Sequence, residues 1–158
     1  MKKFVFLISI LFSALMLSQG FTKADALSPN VKHSDTFDLN KYKGKIVVLN
    51  YWASWSKTSR NENKTLLHVY QTFKLNPKVV FVSVSLDIDE ASWKAAIEED
   101  ELVWKDHFCD FKKYDSPMAL KYGVTTLPKF IIFNGAAKQV YSTNNTHELE
   151  ANVSNLLK

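Results

Sequence analysis

The sequence predicts an α/β fold, a central mixed β-sheet flanked by helices, and three observations carry that prediction. Ile46–Leu49 is an apolar run without alternation and Val79–Leu86 is rich in β-branched residues, the patterns of buried strands. Apolar residues recur at helical spacing after each run, so helices separate the strands and imply parallel crossovers. Lys129–Phe133, Asn134-Gly135 and Gln139–Ser142 read as strand, turn and strand, a closing antiparallel hairpin. Parallel and antiparallel pairs together make the sheet mixed.

The elements follow in order. Met1-Lys2-Lys3 and the apolar stretch Phe4–Leu17 form the charged start and core of a signal peptide or N-terminal anchor over residues 1–26. Cleavage is expected after Gly20 or Ala26, leaving one domain over 27–158. The chain is therefore expected to be exported, to a periplasmic or extracellular location, and membrane-tethered only if that segment stays uncleaved. Leu27–His33 is a short polar run, Thr36–Leu39 a small edge strand, and Asn40–Lys45 the turn before the central strand.

After an Ala53–Ser56 bend, Leu66, Val69, Tyr70 and Phe73 mark a helix over Ser56–Leu75, ended by Asn76-Pro77. Beyond the second strand, a carboxylate in Asp87-Ile88-Asp89 can cap a helix whose inner face is Trp93, Ala96 and Ile97. Phe108-Cys109-Asp110 is a short strand and Pro117–Tyr122 a short helix. Leu149, Val153, Leu156 and Leu157 mark a closing helix from about Thr146 to the end.

Composition narrows the function. The net charge of +4 comes with lysines and acids interspersed, which is no nucleic-acid footprint. There is one cysteine, Cys109, so no intramolecular disulfide can form, although exported chains often pair their cysteines. His33, His68, His107 and His147 form no metal motif and no phosphate-binding glycine loop is present; neither metal nor cofactor is expected. Asn63-Lys-Thr65, Asn144-Asn-Thr146 and Asn152-Val-Ser154 are glycosylation acceptors only in a eukaryotic secretory pathway.

Asn50-Tyr51-Trp52-Ala53-Ser54-Trp55, a four-residue slot, and Arg60-x-Glu62 resemble the active-site segment of secreted or membrane-tethered thioredoxin-fold proteins of the TlpA/ResA type, redoxin-like thiol–disulfide oxidoreductases. The Trp93-x-x-Ala96-Ile97 helix, Leu102-x-Trp104, Ser116-Pro117 and Tyr122-Gly123-Val124 before Pro128 extend the resemblance over Thr36 to Lys158. It implies a thioredoxin-like fold, a cis proline at Pro128 facing the slot, and a Leu127 backbone able to pair with extended polypeptide. In the family the slot reads Cys-x-x-Cys; here it reads Ser56-Lys57-Thr58-Ser59.

Ser56 and Ser59 therefore decide the expectation. Thiol–disulfide exchange needs an attacking thiolate and a second cysteine to close the two-electron cycle, and serine hydroxyls supply neither. A simpler role is capping: Ser56 can cap the helix start, and Ser59 with Glu62 fits the S-x-x-E capping box. Glu62 stands where the family often keeps an acidic residue near the cysteines. The expected protein is a redox-inactive accessory in envelope redox homeostasis that binds extended polypeptide or a partner oxidoreductase through Trp55, Ser56, Leu127, Pro128 and Trp104. The alternatives are a divergent oxidoreductase relying on the lone thiol of Cys109 or an external thiol, and a purely structural domain.

Overall fold

The computed structural model describes residues 36–158. The expected signal segment 1–26 and the polar run Leu27–His33 lie outside the described residues. A five-stranded sheet runs in the order β3-β2-β1-β4-β5, with β1 over Ile46–Trp52, β2 over Val79–Ser85, β3 over Asp106–Cys109, β4 over Lys129–Phe133 and β5 over Gln139–Thr143. β1 pairs parallel with β2 and antiparallel with β4, so the parallel and antiparallel halves of the sheet meet at β1. Helices α1 (Lys57–Phe73), α2 (Glu90–Glu99), α3 (Pro117–Lys121) and α4 (Leu149–Leu156) cover the two faces.

β1 explains its own composition. Ile46, Val48 and Trp52 face a core completed by α1, α2 and α4, while Val47, Leu49 and Tyr51 face a second core with Met118, Ala119 and Phe108. All seven residues of the strand are buried, which is why its sequence shows no alternation. The Tyr51 hydroxyl donates to the Met118 carbonyl at 2.8 Å, tying α3 to the strand end.

Three boundaries depart from the sequence reading. Thr36–Leu39 is not an edge strand: Phe37 is buried in the second core, and Asp38 accepts from the Asn40 N–H at 3.0 Å to start a 3-10 turn over Leu39–Tyr42. A short Asx cap satisfies the backbone locally there and leaves no ladder to join. The third strand begins at Asp106 rather than Phe108, paired with Val82 of β2. The closing helix starts at Leu149, because Thr146 is engaged by Glu62 of α1.

The hairpin between β4 and β5 forms as expected but with a five-residue loop. The positive φ falls on Ala137 (φ 60), not on Gly135. Gly135 is small for another reason: a Cβ there would stand 3.3 Å from the Gly44 backbone, whose N–H donates to the Gly135 carbonyl at 2.9 Å.

Candidate functional site

The bend that follows β1 forms because a fully buried carboxylate sits beneath it. Asp87, 1% exposed, accepts from the Ser54 N–H at 3.0 Å, the Ser54 hydroxyl at 2.6 Å and the Ser85 hydroxyl at 2.5 Å. Three donors on one carboxylate compensate its desolvation and fix the turn closed by the Ser56 N–H on the Ala53 carbonyl at 3.1 Å. Trp55 is thereby left at the tip, 49% exposed. Its ring stands edge-on to Tyr114 at 6.4 Å, with Lys113 Nζ 5.3 Å from its centroid.

Ser56 is the N-cap of α1: its Oγ accepts from the Ser59 N–H at 3.3 Å and from the Ser59 hydroxyl at 2.9 Å. The expected Ser59–Glu62 capping box does not form. Ser59 is the third residue inside the helix and fully buried. Glu62 reaches instead to the other end of the chain, accepting from the Thr146 N–H at 2.9 Å and its hydroxyl at 2.6 Å. Removal of the cap in Ser56→Ala should cost about 1 kcal/mol in urea unfolding, and Ser56→Asp should recover it.

The second half of the site comes from the loop before β4. Register pairs Tyr51 with Lys129, so Pro128 lies at the strand end beside the bend. The Leu127–Pro128 peptide is cis. Asn144 holds this loop from the β5 side, its Nδ2 donating to the Pro128 carbonyl at 2.7 Å and to Thr126 Oγ1 at 3.1 Å. Trp55, Ser56, Leu127 and Pro128 are thus placed at one end of the sheet.

Trp104 is not with them. It is 2% exposed, stacked on His107 at 5.5 Å and packed against Tyr70 and Phe81 near the start of β2. Its indole N–H donates to Ser83 Oγ at 3.1 Å. The Leu102-x-Trp104 segment turns inward because a large aromatic with one donor finds both a core and a partner there.

Cys109 is also withdrawn from the surface. It is 2% exposed, and its thiol donates to the Asp87 carbonyl at 3.6 Å. Burial pushes the thiol pKa up to about 11, against weaker opposing hydrogen bonds from Phe111 and Ser85. A thiol held protonated and out of solvent is a poor nucleophile. In the native protein it should resist a thiol-reactive aromatic disulfide at about pH 8 and react once the chain is unfolded.

A buried polar network went unread in the sequence. Asn50 Nδ2 donates to Asn63 Oδ1 at 3.1 Å, Asn63 Nδ2 to Asp100 Oδ2 at 2.8 Å, and Arg60 pairs with Asp100 at 2.5 Å and with Glu99 at 2.9 Å. It pins the first turns of α1 to β1 and to the end of α2. The signal was present: Asn50 interrupts an apolar strand, and Ser59 and Asn63 continue the Leu66–Phe73 stripe at helical spacing. Asn63 is fully buried, so its sequon cannot carry a glycan in this fold. Among the described residues no group of three His, Cys, Asp or Glu side chains is placed to hold a metal ion, and no helix is long and apolar enough to cross a membrane.

A family model described as thioredoxin-like matches residues 44–139. Among solved structures, a thiol–disulfide oxidoreductase from Bacteroides fragilis is 30% identical over 73% of this chain and 83% of its own, with a TM-score of 0.66. The thioredoxin domain of a thiol–disulfide oxidoreductase from Bacteroides vulgatus is 28% identical over 76% of this chain and 84% of its own, with a TM-score of 0.68. A secreted disulfide oxidoreductase from Mycobacterium tuberculosis shares the fold at 23% identity and a TM-score of 0.62, over 75% of this chain and 87% of its own. No curated protein sequence matches the chain.

Proposed function

We propose that this chain, which belongs to the thioredoxin-like thiol–disulfide oxidoreductase family, is a redox-inactive, exported member that binds extended polypeptide as an accessory to envelope redox homeostasis. The observation that carries the reading is the pair of hydroxyls 2.9 Å apart at Ser56 and Ser59, set in a site that keeps an exposed Trp55 and a cis Leu127–Pro128 bond. Serine hydroxyls cannot be oxidised to a disulfide, so the two-electron cycle has no carrier at this slot.

The clients this reading favours are unfolded or reduced chains, or a partner oxidoreductase, laid along the Leu127 backbone by strand addition. Trp55 would supply the apolar anchor and Lys113 a cation beside it. The alternative that relies on Cys109 is disfavoured by its burial and raised pKa.

The test is insulin reduction by the natural protein beside Ser56→Cys/Ser59→Cys, each also with Cys109→Ser. The natural protein should be inert with and without Cys109. The double reversion should gain activity, because a thiol at position 56 would sit at the N-terminus of α1 beside Lys57, where positive potential favours the thiolate. Activity in the natural protein that disappears in Cys109→Ser would overturn the proposal.

A further inference from the structure

The end of the sheet opposite the bend carries a concavity. β1 separates the two ends by seven residues, roughly 20 Å of strand. A cavity of about 370 Å³ opens there, between the starts of β1, β2 and β3 and the end of α1. That is within the range of small-molecule pockets, about 300–1,000 Å³, and holds about a dozen water volumes at ~30 Å³ each. An isolated tetrahedral oxyanion would fill only a small part.

Its rim is cationic. Lys41 and Lys45 of the turn before β1, Lys74 at the end of α1 and Lys105 before β3 line the same cavity, with Asp106 as its one lining carboxylate. None of these ammonium groups lies within ion-pair distance of a carboxylate among the described residues, whereas Arg60 and Lys94 are paired. Lys74 has a local reason to be where it is, at the C-cap of α1, whose carbonyl end favours a cation. Lys41 has one as well, in the last turn of the 3-10 helix and close enough to Asp38 to lower its pKa. Four ammonium groups against that one carboxylate leave the rim with a net positive charge.

The wall is aromatic. Half-buried Tyr42 and Tyr70 line it, backed by Phe81 and Trp104, with Tyr70 5.3 Å from Phe81 and 5.6 Å from Trp104. A flat apolar wall under a lysine rim suits a ligand with a ring at one end and a compact anion at the other. Lysines act there as point charges on phosphate-like groups.

We propose that this cavity is a binding site for a sugar-sized ring bearing a phosphate or sulfate ester, the ester held by Lys41, Lys45 and Lys105 and the ring laid on Tyr42 and Tyr70. The site is independent of the polypeptide surface at the other end of the sheet.

The experiment is an amide and indole NMR titration of the full chain with glucose 6-phosphate, glucose 6-sulfate, inorganic phosphate and glucose. At least one ester should give saturable shifts at the Trp104 indole and the Tyr70 amide, with Kd near or below about 1 mM. Saturation by one ester or both assigns the source of the anion. Inorganic phosphate should bind about tenfold more weakly and glucose should not saturate. Lys41→Gln/Lys105→Gln should raise Kd at least about tenfold with its unfolding midpoint unchanged, while Lys64→Gln, on the exposed side of α1, should leave Kd as it was. The proposal is overturned by any of three results: no saturable shift with either ester, an unchanged Kd in the lysine pair variant, or equal binding of inorganic phosphate, which would mean an adventitious ion only.

Discussion

Between pH 7 and pH 4 the protein is expected to lose about 3 kcal/mol of stability through one residue, His107. Its ring, on β3, is fully buried and stacked on Trp104, with Nε2 2.9 Å from the Trp104 carbonyl. Desolvation depresses its pKa to about 4, against the Trp104 and Leu102 carbonyls and the Asp106 charge, which favour the proton. The sign follows from which state binds the proton first. An unfolded histidine takes it up near pH 6.5 and the folded one only near pH 4, so the unfolded state gains protons across that window. The contribution is complete above about pH 6.5 and disappears as pH falls toward 4.

The depressed pKa values of Asp38 and Asp89, held down by hydrogen bonds from Asn40 and Ser92, matter only below about pH 4, where those groups protonate. Urea unfolding of the natural protein and of His107→Leu, measured at several pH values from 7 to 4, separates the terms. The variant should start less stable at pH 7, having lost its bond to the Trp104 carbonyl, and should then change little down to pH 4. A parallel fall in both proteins would place the titrating group elsewhere.

The sequence made the sheet and helices legible wherever burial repeated along an element, and failed where a single polar contact decided the outcome. The seven residues of β1, buried on both faces, announced themselves by lack of alternation. The inner face of α2 was readable because Trp93, Ala96 and Ile97 fall on one helical stripe. Thr36–Leu39 was misread because alternation over four residues suits a strand and an Asx-capped turn equally well. The site was half legible. The slot, Trp55 and Pro128 followed from resemblance, whereas Asp87 beneath the bend and Asn144 behind the proline are long-range partners, 33 and 16 residues from what they hold. Trp104 was assigned to the surface because nothing local marks a tryptophan as buried until its partner, Ser83, is placed beside it.

The second large effect is expected from the network that anchors the slot. Arg60→Ala should destabilise the protein by about 3 kcal/mol at pH 7, since it leaves a buried carboxylate without its cation. The Asp100 side chain is 4% exposed and that of Arg60 25%, so the carboxylate cannot turn to solvent while the guanidinium can. The two partners are therefore unequal. Asp100→Asn should cost less than Arg60→Ala, because it leaves a neutral amide beside Asn63 and an arginine still able to reach Glu99 at 2.9 Å. The double variant should then lie above Arg60→Ala in stability, which a sum of independent losses would forbid.

The pH response supplies a second check with the opposite sign to that of His107. In Arg60→Ala the orphaned Asp100 would have its pKa raised by burial, so its deficit relative to the natural protein should shrink as pH falls toward about 4 and the carboxylate takes a proton. A deficit that stays constant from pH 7 to 4 would mean that water reaches Asp100 once the arginine is gone. Asn63, which bonds both Asp100 and Asn50, would then be the member that locks α1 to β1.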